Sequence, residues 1–283
     1  MTFYNNFNPK RTSCLFGEKN HFLLLKNLLI NNKFPQTLML SGEKGLGKLT
    51  TINHLMHYYF DKDNYDDINF SFKKDTPFFH QNLNNLYPNL IYLEGLAFKN
   101  IKTDDIRKLK ILLLKKPINN NKRFIILDDV ELFNLNSLNA LLKIIEEPGD
   151  ANFFVLINNK SNPIIETIKS RCLELKFILD NDEKNKIQFS LMKYFEQNSN
   201  IDMNIVHVSP GNFLRINHFF NEQKININED IVINFNKILN LYRKEKDIFY
   251  KDLLLFVSEY YLLKNKSKNF INKSYIFETR SFL

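Results

Sequence analysis

The segment Gly42-Glu43-Lys44-Gly45-Leu46-Gly47-Lys48 constrains the fold more than any other part of this chain. It follows a short apolar run, Thr37 to Ser41 (TLMLS), long enough for a buried strand. It precedes a stretch that reads as a helix through about Phe60. The spacing is G-x-x-x-x-G-K, in which backbone N–H groups cradle phosphates and the lysine reaches the β and γ phosphates. Three of the seven glycines fall within positions 42 to 47. That concentration carries weight in a chain rich in Asn and Lys, where 41 residues are Asn, 32 of the 39 basic residues are Lys and only three are Ala. The same bias discounts the net charge of +8 as a sign of nucleic-acid or acidic partners.

Further apolar runs of strand length lie downstream: Leu90 to Glu94, Arg123 to Asp128 (RFIILD), Asn152 to Asn158 (NFFVLIN) and the alternating Cys172 to Phe177. Helical spacing lies between them. Phe22, Leu25, Leu28 and Leu29 form one face of a helix closed by Pro35. Thr103 caps another, with Asp104 and Asp105 in its first turn. Asn136 to Glu147 forms a third, ended by Pro148, with Leu138, Leu141, Leu142 and Ile145 on one face. Alternation of strand and helix over residues 37–177 predicts an α/β fold with a parallel sheet. Residues 61–88 show no period and read as an irregular insertion. Beyond about Leu179 the pattern is helical, short helices over 181–220 and longer amphipathic ones over 228–270.

The phosphate loop is incomplete for catalysis. A hydroxyl that would bind Mg²⁺ belongs directly after Lys48, but that residue is Leu49. Thr50 and Thr51 come one and two places late, and one place turns a helical side chain by about 100°. Acids follow the strand ending in FIIL: Asp128 stands where an aspartate would orient Mg²⁺, and Asp129 where a glutamate would activate water. Asp129 is shorter by about one methylene, which matters for proton transfer within hydrogen-bond reach. Read without the loop, Asp128 and Asp129 serve equally well as caps of the next segment.

Ser137 to Pro148 (SLNALLKIIEEP) resembles the N-A-L-L-K-x-L-E-E-P signature of the bacterial AAA+ clamp-loader family. Ser170-Arg171-Cys172 resembles that family's S-R-C motif, Leu15-Phe16-Gly17-Glu18 its N-terminal box, and Lys102 to Leu109 (KTDDIRKL) its helix after the second strand. Order and spacing agree over residues 9–177. The weakened Walker A (Gly42, Gly45, Gly47, Lys48, Thr50) and Walker B (Asp128, Asp129) resemble the delta prime type of subunit rather than the hydrolysing gamma/tau type.

The resemblance implies an AAA+ P-loop domain over 1–177, a small helical lid over 178–220 and a helical collar over 221–283. It implies a scaffold subunit that helps load a sliding clamp on primed DNA beside gamma/tau and delta types of subunit. Arg171 would be an arginine finger acting in trans, with pairing to Glu146 or Glu147 as its structural alternative. Asn158 or Asn159 would be sensor 1. Ser209-Pro210-Gly211 with Arg215 resembles the lid near sensor 2, with the arginine out of register. ATP with Mg²⁺ is left open as an occupant of the loop, and turnover by the chain alone is not expected. Many relatives carry a four-cysteine zinc module after the loop helix. Residues 61–88 hold no cysteine, so zinc is not expected. Cys14 and Cys172 make no disulfide framework, Met1 to Arg11 lacks an apolar leader core, and no run reaches the ~18 apolar residues of a membrane span. A cytoplasmic protein is the expectation. Lys264, Lys266 and Lys268 read as a solvated face. The rival readings are an active gamma/tau-like ATPase and another AAA+ DNA-associated protein.

Overall fold

The computed structural model describes residues 7–95, 103–199, 201–247 and 249–266, without the side chains of 103–105, 120 and 266. It forms two compact units, Met1–Leu179 and Asp180–Leu283.

In the first unit, helix α1 (Lys19–Ile30) leads into strand β1 (Thr37–Ser41) and helix α2 (Lys48–Phe60). Two short strands, β2 (Tyr65–Asp66) and β3 (Ser71–Phe72), and helix α3 (Pro77–Leu83) follow. Then come β4 (Leu90–Glu94), α4 (Thr103–Leu113), β5 (Arg123–Asp128), α5 (Leu135–Glu146), β6 (Asn152–Asn158), α6 (Glu166–Lys169) and β7 (Leu173–Lys176). The main sheet has the order β4-β5-β6-β1-β7, every pair parallel. Four expected strands fall on the stated residues, and the fifth is shorter by one residue at each end.

Successive strand side chains point to opposite faces, so β1, β5 and β6 each feed two cores. Leu38, Leu40, Phe124, Ile126, Phe153, Val155 and Ile157 pack with α1 and α2. Met39, Ile125, Leu127, Phe154 and Leu156 pack with α4, α5 and α6. Burial on both faces explains why these strands read as continuous apolar runs. Each fully buried Phe or Leu contributes roughly 1.5–3 kcal/mol.

Residues 61–88 are not an irregular insertion. Tyr65↔Phe72 and Asp66↔Ser71 pair as an antiparallel hairpin, and the N-terminal segment joins it through a Cys14↔Ser71 bridge. Thr76 caps α3, its hydroxyl accepting the Phe79 N–H at 3.1 Å. Tyr65, Phe72, Phe78 and Phe79 enter the α2-side core. Helix α2 is therefore buried on two sides, with His54 and His57 inside. Two-residue strands are too short to show a period, which is why the sequence pattern missed them.

The second unit holds α7 (Asn181–Tyr194), α8 (Pro210–Glu222), α9 (Ile231–Glu245) and α10 (Phe249–Lys266). Asp180 and Glu183 form a reciprocal capping box at the start of α7. Phe219 meets Phe249 and Tyr250, and Phe220 meets Phe256, which joins α8 to α10. With 14 and 13 residues, α7 and α8 are longer than the short helices expected there.

Candidate functional site

The loop between β1 and α2 lies at the carboxyl ends of the parallel strands, where open α/β sheets place their ligands. Register brings Ser41 opposite Asn158 and Glu94 opposite Asp128. Gly42, Gly45 and Gly47 all take positive φ. Gly42 also admits no side chain, because a Cβ there would stand 2.5 Å from the Phe177 carbonyl oxygen. Its N–H donates to the Asn158 carbonyl at 3.2 Å, tying the loop to β6.

Lys48 is buried, and its Nζ donates to the carbonyls of Gly42 and Glu43, both at 2.7 Å. Burial pushes its pKa down to about 8, against the pull of Asp128, Glu131 and Asp129. Leu49 is half-buried and packs against the α2-side core. Thr50 is half-buried, and Thr51 spends its hydroxyl on the Gly47 carbonyl at 3.0 Å.

The acids at the end of β5 are held by the chain's own donors. Asp128 accepts from the Tyr92 hydroxyl at 3.1 Å and from the Asp129 N–H at 2.9 Å. Burial, then the neighbouring Asp129, raises its pKa to about 6. Asp129 is buried with φ 49°, and its carbonyl oxygen lies so close to Gly95 that a Cβ there would stand 2.5 Å from it. Its carboxylate receives Lys44 Nζ at 3.0 and 3.2 Å and Asn159 Nδ2 at 2.7 Å. Glu131 accepts from the Asn159 N–H at 3.1 Å and from the Ser161 hydroxyl at 2.8 Å. Burial, then the nearby Asp129, raises the pKa of Glu94. Lys10 sits 4.1 Å over the Tyr92 ring.

The two sensor candidates therefore differ. Asn159 reaches the acids, whereas the Asn158 side chain accepts the Lys160 N–H at 2.8 Å and shapes the turn. Arg171 stands apart from this cluster. Its Nη2 pairs with Glu146 at 2.6 Å, and its Nη1 donates to the Thr167 carbonyl at 2.9 Å. Cys172, beside it, donates to the Ile168 carbonyl, and burial pushes its thiol up to about 12. In the second unit Arg215 lies 4.7 Å over the Phe249 ring, and Ser209 stands at the N-cap of α8. Lys264 bonds Asn228, while the Lys266 side chain, Lys268, Lys102 and the side chains of Thr103, Asp104 and Asp105 lie outside the described residues. Lys44, Tyr92, Glu94, Glu131 and Lys10 were not identified from sequence. Only Glu131, three places after Asp128, carried a signal that could have found it.

These residues do not fit a resident Mg²⁺. The hydroxyl position is apolar, and the carboxylate oxygens are taken by Tyr92, Asn159 and Lys44. Among the described residues, no group of three His, Cys, Asp or Glu is arranged to hold a metal ion, and no helix is long and apolar enough to cross a membrane.

On the opposite face of the sheet, a cleft of about 430 Å³ opens between α4 and α5. Arg107, Lys110 and Lys143 line it with Asn136 and Asn139, three cations and two amides without an acid.

Comparison with known proteins gives a consistent grouping. The DNA polymerase III subunit gamma of Buchnera aphidicola subsp. Acyrthosiphon pisum is 27% identical over 194 residues, covering 69% of this chain and 52% of the relative. The DNA polymerase III subunit delta' of Buchnera aphidicola subsp. Baizongia pistaciae is 24% identical over 157 residues, covering 52% of this chain and 46% of the relative. The chain thus spans about half the length of these curated relatives. A DNA polymerase III gamma subunit-related protein of Thermotoga maritima superposes with a TM-score of 0.49 at 15% identity, over 92% of this chain and 89% of that one. The profile of one protein family matches residues 17–181, which hold the whole loop, both acids and Arg171. By that match over more than half of its length, the chain belongs to the family described as DNA polymerase III, delta subunit.

Proposed function

We propose that this chain is a clamp-loader subunit of delta prime type. In this reading it is a scaffold that does not itself turn over ATP and serves the ATP-dependent loading of a sliding clamp on primed DNA. The observation that carries the reading is the self-satisfied loop site. Lys48 is bound by its own loop carbonyls, and both acids that would organise metal and water are bound by Tyr92, Asn159 and Lys44. A general base must be within reach of the proton it takes, and Asp129 has its oxygens occupied. Relatives named delta' support the assignment.

The partners in this reading are gamma/tau and delta types of subunit in a cytoplasmic replication complex. The helical second unit supplies lid and collar, divided near residue 220. Arg171, exposed, paired with Glu146 and apart from Asp128 and Asp129, is the finger offered to a neighbour's nucleotide, where a guanidinium stabilises charge on a transferring phosphoryl group. The cleft of Arg107, Lys110 and Lys143 suits the phosphates of DNA, which exchange counterions for lysine and arginine.

The gamma relative keeps a second reading in play, an active gamma/tau-like ATPase. Purified chain separates the two. A scaffold shows no more than trace ATP turnover and co-purifies with gamma/tau-type subunits from its own cell extract. Robust turnover by the isolated chain, abolished in Lys48→Ala, would establish the second reading instead. Absence of any replication subunit from the pull-down would remove both.

A further inference from the structure

We propose that Lys44 is a built-in cation that takes the place of a metal ion in this site, tying the phosphate loop to Asp129 without any nucleotide. The inference rests on the non-hydrolysing reading above and names the residue that enforces it.

The geometry is that of a clamp. Lys44 stands in the middle of the loop, between Gly42 and Gly47, and its ammonium bridges both oxygens of Asp129 at 3.0 and 3.2 Å. The two partners differ in their surroundings: the Asp129 side chain is 3% exposed, the Lys44 side chain 40%. A carboxylate withdrawn from water needs a counter-charge. The lysine supplies it from the solvent side. Asp129 is in no position to turn away. Its backbone is left-handed, its carbonyl lies so close to Gly95 that no side chain would fit there, and Asn159 Nδ2 holds one oxygen at 2.7 Å.

A divalent ion at such a site is shared between a hydroxyl after the loop lysine and the acids at the end of the strand. Here the hydroxyl is replaced by Leu49, an apolar side chain packed against the core, so an ion would lack its second anchor. A single positive charge delivered from the loop itself needs no such anchor. Two elements that a bound nucleotide and its metal would otherwise link are thus linked by one side chain.

The test uses the full chain, with Mn²⁺ as probe, read by the electron paramagnetic resonance of the free ion at pH 8 and low salt. Melting temperature is followed in parallel with Mn²⁺ or with EDTA. Wild type is expected to show no saturable Mn²⁺ binding below the millimolar range and no thermal shift. Lys44→Gln, which removes the charge, is expected to bind Mn²⁺ at least ten-fold more tightly and to melt higher with Mn²⁺ than with EDTA. Lys44→Arg, which keeps the charge, should behave as wild type. Lys44→Gln with Asp129→Asn should lose the gain. If Lys44→Gln is unfolded in EDTA, refolding by Mn²⁺ supports the proposal, and failure to refold overturns it. Unchanged Mn²⁺ affinity in a folded Lys44→Gln overturns the proposal and leaves the non-hydrolysing reading standing. Wild type that binds Mn²⁺ with ATP tightly, and turns it over, overturns both.

Discussion

Arg171 and Glu146 meet at 2.6 Å, joining the turn after α6 to the last residue of α5. Both side chains are substantially exposed, 39% and 45%. Such a surface pair contributes about 0–1 kcal/mol to stability. Its use is therefore better sought in where it holds the guanidinium than in how much it stabilises. With Nη2 on Glu146 and Nη1 on the Thr167 carbonyl, the arginine is fixed at two points on the surface.

Arg171→Ala is expected to leave the melting temperature within about 3 °C of wild type. The same variant, reconstituted into a complete clamp loader, should lower DNA- and clamp-stimulated ATP hydrolysis. Loss of a finger costs ~10³ or more at the site it serves. A complex with other intact sites would retain part of its rate. An unchanged rate in a properly assembled complex would assign Arg171 to structure alone, as would a large fall in melting temperature with failed assembly.

The cleft between α4 and α5 yields a test of DNA contact. If Arg107, Lys110 and Lys143 neutralise phosphates, each alanine substitution should weaken primed-template binding by the assembled complex irrespective of DNA sequence. It should also flatten the dependence of affinity on salt, by roughly one unit of logarithmic slope per contact removed. Binding that is equally tight and equally salt-sensitive in the triple variant would show that the cleft does not face DNA.

The main sheet was legible because its central strands β1, β5 and β6 are buried on both faces and its connections carry strong breakers. Pro148 and the loop glycines mark its connections unambiguously. The hairpin at Tyr65 and Phe72 was not legible, since two-residue strands leave no alternation, and its aromatic anchors resemble any loop rich in Phe. At the site, sequence gave the acids, Lys48 and two neighbouring asparagines, but not which asparagine turns inward. That choice is made by the turn after β6, where Asn158 bonds the Lys160 N–H and leaves Asn159 to face Asp129. Lys44 was hidden for a different reason: it fills a variable position of the loop motif, where any residue satisfies the pattern.

Arg123 makes a stability prediction. It is 4% exposed at the start of β5, and its guanidinium donates to the Leu112 carbonyl at 3.2 Å, the Lys115 carbonyl at 3.0 Å and Asn152 Oδ1 at 3.3 Å. It thus holds the carbonyls at the end of α4 against the sheet. Arg123→Met keeps the stem but strips three acceptors of their donor. One of these bonds is buried and two are part-buried, and leaving a buried acceptor unsatisfied costs about 1–3 kcal/mol. Denaturant unfolding should show a loss in that range. A change below about 0.5 kcal/mol would mean that water replaces the guanidinium without penalty.

The last prediction concerns acid. His57 is 1% exposed and stacks on Phe72 with ring centroids 3.7 Å apart, and neither ring nitrogen has a hydrogen-bond partner. His54, one turn earlier, bonds the Thr12 carbonyl and the Tyr65 hydroxyl. Burial depresses the two to about 3 and about 4 respectively, and the His54 charge adds to the effect on His57. Between about pH 4 and 6 the unfolded chain therefore binds two protons at these positions that the folded chain refuses. Asp128 acts the other way. Raised to about 6 in the fold, it holds a proton there that the unfolded chain has released. These three groups leave a net excess of one proton on the unfolded state. Stability should rise with pH across that window by no more than about 1.4 kcal/mol per unit, because Glu94, raised by burial, also holds its proton longer in the fold, and the rise is complete by about pH 7.5. His57→Phe removes one of the two refused protons and keeps an aromatic ring on Phe72. It should flatten the slope and make the protein more stable than wild type at pH 5 while changing little at pH 7.5. Urea unfolding at several pH values from 4.5 to 7.5 measures both. A slope identical in the two proteins would show that His57 takes up its proton in the folded state without cost.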